Sequence, residues 1–485
     1  MANEEIHCRN LPMNFLPPTP PGLEALFLSC RGIYPDQANP LQVAALVKYW
    51  LGGPDPLDYI SMYSNPGNPE QGIPPHWHYI SFGLSDLHGD GRVHEVTGPD
   101  TPSGFGFELT FRLKREPGET GPPTWPATLM QALAKYVFQS GNTLCLGDHV
   151  SWHCALDSSS ESRIQHMLMG ADPQLGVVAT PTGSVHFVQV VGVCREELVA
   201  AQRWNGPGVL DILRRLPGAG GPWLVTDMRR GETMLELDPT AQDEVDRGIE
   251  VDGSNLSGVS ARCSWANADM ATLLLTGNGD ERRQSDDDEG GGDGEVVGGG
   301  GCLREGPATL LHADAQIKAA FKKGSLNPRP VLPPIKSQLQ PQANEEDTLS
   351  KEWDAESGES TELLRTRHME SLHLTFNLES GVLLPLAIRG RVRHGRHFTF
   401  KSVLGDTAIT IVASTVTGTF VDADKPYVVH GPWLQVLIPD DFVQEMIDVL
   451  EPLNNPEELT LPKTFVWPER KLAITIVADN ELRIL

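Results

Sequence analysis

Histidine pairs are the first residues whose spacing could do chemistry. In His76-Trp77-His78 two imidazoles share one face of a strand, a spacing that can ligate a metal. In His149-Val150-Ser151-Trp152-His153 the pair is four apart, but a zincin motif needs Glu directly after the first His, and Val150 stands there. Together the four histidines define the alternative reading of a metal-dependent hydrolase. Gly104-Phe105-Gly106 lacks a third glycine and leads into a strand, so it is no dinucleotide loop. No Walker loop or serine nucleophile elbow occurs. The seven cysteines are odd in number, widely spaced and without a CxxC pair, which speaks against a disulfide framework or a cysteine zinc site. No cofactor is implied, and the chain reads as a non-enzyme. Asp148, beside His149, falls in a Gly147-Asp148-His149 turn; a ligand contact and a plain solvated turn both stay open for it.

The elements that would position these residues are legible in part. Asn39-Pro40 before Leu41 to Gly52 has the capping and first-turn signals of a helix. His76 to Leu87 and Phe105 to Leu113 read as strands, the second with apolar residues at period two. Pro126 opens a helix through Leu129, Met130, Leu133 and Val137. Val185 to Val193 is a strand, and Glu196 to Leu216 is helical around a Gly206-Pro207-Gly208 break. Trp223 to Met228 and Glu232 to Asp238 read as a hairpin, and Gly258 to Trp265 as one strand. Further on, His373 to Phe376, Leu383 to Val392, His397 to Val403, Thr407 to Val412, Trp433 to Ile438 and Leu472 to Val477 are strand-like. His394-Gly395 reads as a hairpin turn, and Asp440 as the cap of a helix carrying Phe442, Val443, Met446, Ile447 and Leu450.

Between these halves the composition changes. Residues 277–302 hold eight acidic residues and only Arg282 and Arg283 as basic ones, a local net charge of −6 in a Gly-rich run. Such a run has little to bury and reads as disordered. The expected layout is α+β: a flexible tail over 1–19, a mixed α/β domain over 20–266, an acidic, Pro/Gly-rich linker over 267–361, and a second mixed α/β domain over 362–485. Within the linker a helical island is expected at 313–323, and Ser285, Ser350, Ser357 and Ser360 lie near acidic residues as candidate phosphorylation sites. The whole chain has 38 Lys+Arg against 64 Asp+Glu, a net charge of −26. That speaks against direct nucleic-acid binding and points toward basic partners, with solubility as the other reading of the charge. No secretory signal and no membrane-spanning run is seen.

Long strings of the sequence resemble the Suppressor of fused family. They are Trp50 to Tyr59, His76 to Leu87, Ser103 to Arg115, Asp148 to His153, Gly221 to Glu232, Asp252 to Ala261 and His394 to Phe398. The resemblance covers about residues 20–265 and 362–478. It implies a non-enzymatic negative regulator of Hedgehog signalling, cytoplasmic and nuclear, that binds GLI/Cubitus interruptus zinc-finger transcription factors, retains them in the cytoplasm and acts as a corepressor. It implies that a Ser-Tyr-Gly-His segment of the factor adds as a β-strand between the two domains. The matching positions are Tyr136, Leu144, Asp148, Val259, Ala261, Glu379 and Leu383. Asp148 would hold the motif's histidine, Val259 and Ala261 would lie along the added strand, and Glu379 and Leu383 would cover it. Family members often carry an aromatic where this chain has Leu144. The resemblance also implies a kinesin-like scaffold or a kinase of the same pathway as a partner.

Overall fold

The structure is a computed structural model that describes residues 19–158, 161–268 and 366–479. The tail, the linker core with its 313–323 island and the four candidate phosphorylation sites lie outside the described residues. Two compact units meet in sequence at Val245/Asp246. Each is a mixed α/β domain, as expected.

The first unit is built on one mixed sheet. Its strands are β1 (Leu41–Ala44), β2 (Tyr59–Asn65), β3 (His76–Phe82), β4 (Pro102–Lys114), β5 (His149–Ser151), β6 (His166–Ala171), β7 (Val177–Thr180) and β8 (Gly183–Val193). They lie in the order β1-β2-β3-β4-β8-β6-β5, with β7 also on β8. Only the β4–β8 pair is parallel. Helix α1 (Pro21–Ile33) buries Leu23, Leu26 and Cys30 on one stripe against Tyr63, Ile80, Phe82 and Phe187 of the sheet. The other helices are α2 (Trp125–Ser140), α3 (Arg195–Arg203), α4 (Gly206–Arg215), α5 (Met234–Leu237) and α6 (Ala241–Asp252), the last containing the boundary between units.

β4 shows what period two conceals. Phe107, Leu109, Phe111 and Leu113 face the core as expected, but the alternate residues Glu108, Thr110 and Arg112 are also fully buried. Buried polar groups need partners. Glu108 accepts hydrogen bonds from the Ser81 and Ser85 hydroxyls and from the Gly83 and Ser85 N–H groups. Burial raises its pKa against the pull of those donors.

The second unit has two sheets over a shared core. β9 (Gly258–Ala261), β10 (Cys263–Ala266), β11 (Thr366–His368), β12 (Leu372–Asn377), β13 (Phe398–Ser402), β14 (Ala408–Ala413), β15 (Tyr427–His430), β16 (Trp433–Ile438), β17 (Lys463–Trp467) and β18 (Leu472–Val477) are its strands. One sheet runs β10-β12-β18-β17 and the other β11-β15-β16-β14-β13-β9. Helices α7 (Leu378–Gly381), α8 (Leu384–Gly390) and α9 (Asp440–Val449) complete it. Phe376, Phe398, Phe400, Leu434, Phe442 and Ile474 belong to one hydrophobic cluster fed by both sheets.

Five expectations are corrected. Leu41 to Gly52 is not a helix: Leu41–Ala44 pairs with Tyr59–Met62, and a Cβ on Gly53 would lie 1.9 Å from the Val47 carbonyl, so the chain doubles back there. Tertiary pairing overrides the Asn39-Pro40 signal. Glu232 to Asp238 is not half a hairpin, because Thr233 and Glu236 form a capping box that starts α5. Leu383 to Val392 is not a strand: Leu384 to Ile388 are buried all round in α8, a pattern that periodicity does not separate from a buried strand. His394-Gly395 ends a 3-10 turn instead of a hairpin. Finally, Gly258 to Trp265 is two strands in two sheets, β9 on β13 and β10 on β12, so residues 246–266 belong to the second unit, where the sequence placed them in the first.

Candidate functional site

The expected site residues fall into two groups, one in each unit. In the first unit, α2 carries Tyr136, and Gly141 ends the helix in the left-handed region with its N–H on the Val137 carbonyl. The following loop returns to Tyr136, whose hydroxyl accepts from Asn142 Nδ2 at 3.0 Å. Leu144 is buried, and the exposed turn 145–148 follows. Asp148 closes that turn: its Oδ2 accepts the Cys145 N–H at 2.8 Å. The turn is pinned to β6 by Gly147 N–H to Met169 O (2.7 Å) and Met169 N–H to Asp148 O (2.8 Å). α4 packs against it so closely that a Cβ on Gly206 would lie 2.1 Å from the Gly147 carbonyl. The backbone of Asp148 is thus rigid while its side chain is exposed. Oδ1 has no partner among the described residues and is free to accept from a ligand.

In the second unit Val259 and Ala261 lie on β9, which among the described residues is the last strand of its sheet, with β13 parallel on one side only. A parallel strand points the N–H and C=O of alternate residues to the same neighbour. Thr399 N–H bonds Ser257 O (3.0 Å) and Val403 N–H bonds Ala261 O (2.8 Å), so residues 257, 259 and 261 face β13. The main-chain groups on the open edge therefore belong to Gly258 and Ser260. Perpendicular to the sheet, Ala261 is buried and Val259 packs against the same core, while Ser260 is exposed. Gly258 must be glycine for the pair to close, since a Cβ there would lie 2.6 Å from Thr399 O.

The end of β9 is fixed by α7. Arg262 donates its N–H to Ser380 Oγ (3.2 Å) and accepts the Asn377 N–H (3.1 Å). This places α7, with exposed Glu379, and the half-buried Leu383 that follows it beside the end of the open edge. Val259, Ala261, Glu379 and Leu383 fall close together, on and beside a strand whose outward main-chain groups are those of Gly258 and Ser260. Sequence reasoning missed these two, because which residues face out depends on the register with β13.

The four histidines do not form a metal site. All seven residues of β3 are buried. His76 Nδ1 donates to Pro74 O (2.8 Å), and its Nε2 accepts from Arg112 Nη1 (2.9 Å). His78 Nε2 donates to Asp172 Oδ2 (3.0 Å), and its Nδ1 accepts the Tyr34 hydroxyl (2.8 Å). Every ring nitrogen of the pair is consumed, and a guanidinium sits where a cation would have to bind. Burial, helped by Arg112, pushes His76 down to about 3 and His78 to about 4, so both are neutral. His149 is on β5, separated from β3 by β4, β8 and β6, four strand spacings or roughly 19 Å. Among the described residues no group of three His, Cys, Asp or Glu could hold a metal, and no helix is long and apolar enough to cross a membrane.

Two family models match this chain. Residues 53–231 match "Suppressor of fused protein", and residues 243–476 match "Suppressor of Fused Gli/Ci N terminal binding domain". The chain belongs to the Suppressor of fused family. It is 57% identical over 465 residues to the human and the mouse Suppressor of fused homolog, covering 94% of this chain and 92% of each relative. The crystal structure of Drosophila Suppressor of fused matches with a TM-score of 0.66 at 38% identity, over 95% of this chain and 98% of the other. Suppressor of fused proteins are non-enzymatic regulators of Hedgehog signalling, and the chain is a negative regulator of that pathway acting through protein partners. The second family model starts at residue 243, close to the unit boundary at Val245/Asp246.

Proposed function

We propose that this protein restrains GLI/Cubitus interruptus zinc-finger transcription factors by taking a Ser-Tyr-Gly-His segment as an added strand along β9. The observation that carries the reading is the open edge of β9 with the main-chain groups of Gly258 and Ser260 directed outward. Strand addition draws affinity from such groups and selectivity from a few side-chain contacts. Two further features support it. The free Oδ1 of Asp148 is suited to a charge-assisted bond from the motif's histidine, with Tyr136 and Leu144 beside the same turn. The family model over residues 243–476 is described by its binding of Gli/Ci. Holding the factor in this way keeps it in the cytoplasm and makes the complex a corepressor in the nucleus.

Titration calorimetry with a Ser-Tyr-Gly-His peptide tests the binding step. The peptide binds the unaltered chain, and Asp148→Arg abolishes binding while the melting transition is retained. Equal affinity for both chains rejects the assignment. Imaging of a tagged factor in cells tests retention: it moves to the nucleus when Asp148→Arg replaces the unaltered protein.

A further inference from the structure

Four arginines, Arg389, Arg391, Arg393 and Arg396, fall within one short stretch of a chain whose net charge is −26. Arg389 has a carboxylate, Asp246 Oδ1 at 3.2 Å. Among the described residues the other three have none. Arg391 is 8% exposed and donates Nη1 to Ser254 O (2.8 Å) and Nε to His397 O (3.0 Å). Arg396 Nη1 reaches the same Ser254 carbonyl at 3.3 Å. Arg393 is exposed and makes no hydrogen bond or ion pair among the described residues. His394 and His397, from the same stretch, each keep a buried Nε2 without a partner.

This differs from the buried arginines of the first unit, where Arg112 meets Asp172 and Arg230 meets Glu197. Cations crowded together without a counter-charge repel one another and are desolvated at a cost. Burial, with the neighbouring Arg396, lowers the Arg391 pKa from the ordinary 12.5 to about 10. An anion placed among these groups relieves both effects and supplies acceptors for the idle N–H groups.

We infer that the Arg391–Arg393–Arg396 cluster is the docking site of the chain's own acidic run, residues 280–295. The run carries eight carboxylates against Arg282 and Arg283, so the charges are complementary. It begins twelve residues beyond Ala268, the last described residue before it. Twelve residues span at most about 40 Å, and two groups joined by so short a length of chain meet at a local effective concentration on the order of millimolar. An acidic group from another molecule has to displace this resident competitor.

The test uses a labelled synthetic peptide of residues 279–296 and fluorescence anisotropy at low salt. Three full-length proteins are compared: the unaltered chain, a chain with the eight acidic side chains of 280–295 changed to Asn or Gln, and that neutralised chain carrying Arg393→Glu and Arg396→Glu. The peptide binds the neutralised chain, at least tenfold more weakly the unaltered chain, whose cluster is already filled, and at least tenfold more weakly the charge-reversed chain. Raising salt from about 50 to about 500 mM shortens the screening length from roughly 14 to roughly 4 Å and weakens the binding. Melting curves confirm folding, and the exposed Arg393→Gln alone replaces the double change where that chain is unfolded, with a smaller loss in the same direction. Equal binding to the neutralised and charge-altered chains, no binding to the neutralised chain, or equal binding to the unaltered and neutralised chains each overturns the inference. So does displacement of the peptide by inorganic phosphate at equal charge concentration, which assigns the cluster to small anions.

Discussion

Asp148 holds the N–H of Cys145 through Oδ2 at 2.8 Å and leaves Oδ1 open. One carboxylate therefore both shapes the turn and can meet a ligand. The two roles separate by substitution. In Asp148→Asn the side-chain oxygen still accepts from Cys145, so the turn is retained, but the charge is gone. A hydrogen bond to a charged group contributes about 1.5–3 kcal/mol, so calorimetry should show Ser-Tyr-Gly-His binding weakened by roughly 10- to 150-fold. The melting temperature should stay within about 2 °C, since surface changes usually fall within about 0.5 kcal/mol. Asn binding as well as Asp would place the peptide's histidine elsewhere.

The register of β9 makes a sharper contrast. Ser260 points its N–H to the open edge, and Val259 points its N–H to β13. Proline removes a donor wherever it is placed. Ser260→Pro should leave the β9–β13 ladder intact and lose peptide affinity by tenfold or more. Val259→Pro should break a ladder bond and lower stability by about 1–3 kcal/mol, the cost of leaving its partner carbonyl unpaired. Urea unfolding and peptide titration on both variants check this; loss of stability in Ser260→Pro with unchanged affinity would reverse the assigned facing.

These two residues also show what the sequence could and could not convey. Strands with strong alternation or apolar runs, such as Phe105 to Leu113 and Val185 to Val193, are legible because side-chain period alone defines them. Long strings shared with a family locate Asp148 and the β9 region. Facing is a property of pairs. Nothing within Gly258 to Ala261 says that β13 lies alongside in parallel, so the sequence does not tell that the main-chain groups of Gly258 and Ser260 present the edge. The unit boundary was hidden for the same reason: β9 and β10 pair with strands more than a hundred residues away. Thr233 and Glu236 have the residue types and spacing of a capping box, so the start of α5 was readable from the sequence.

Acid sensitivity follows from the histidines of β3. His76 and His78 have folded pKa values of about 3 and about 4, below the ordinary 6.5. The unfolded chain therefore takes up these protons first, and stability rises with pH wherever it does so. Their contribution is intact above pH 6.5 and is lost progressively as pH falls toward 4 and then 3. Each histidine gives a slope of up to about 1.4 kcal/mol per pH unit in that window. Urea midpoints measured from pH 7.5 to 5 should decline, and His76→Gln or His78→Gln should flatten the decline. An unchanged slope in both variants would mean that other groups dominate.

Arg112 is the largest fully buried side chain, and its Nη2 lies 2.9 and 3.0 Å from the two oxygens of Asp172. Asp172 also accepts from Thr110, His78 and the N–H groups of Gln174 and Leu175. Burial alone would raise its pKa, but these hydrogen bonds and the guanidinium hold it well below the usual carboxylate range. Arg112→Leu strands that carboxylate in the core and takes the donor from His76 Nε2. Removing one partner of a buried pair costs about 3–5 kcal/mol. It also removes the guanidinium packed over Trp223 at 5.1 Å. Arg112→Leu should therefore unfold at markedly lower urea. Arg112→Leu with Asp172→Asn should recover part of the loss, because the stranded charge is gone and the amide oxygen still accepts from Gln174 and Leu175. Recovery in the double variant separates an unpaired charge from a simple packing defect, which would leave the double variant no more stable than the single one.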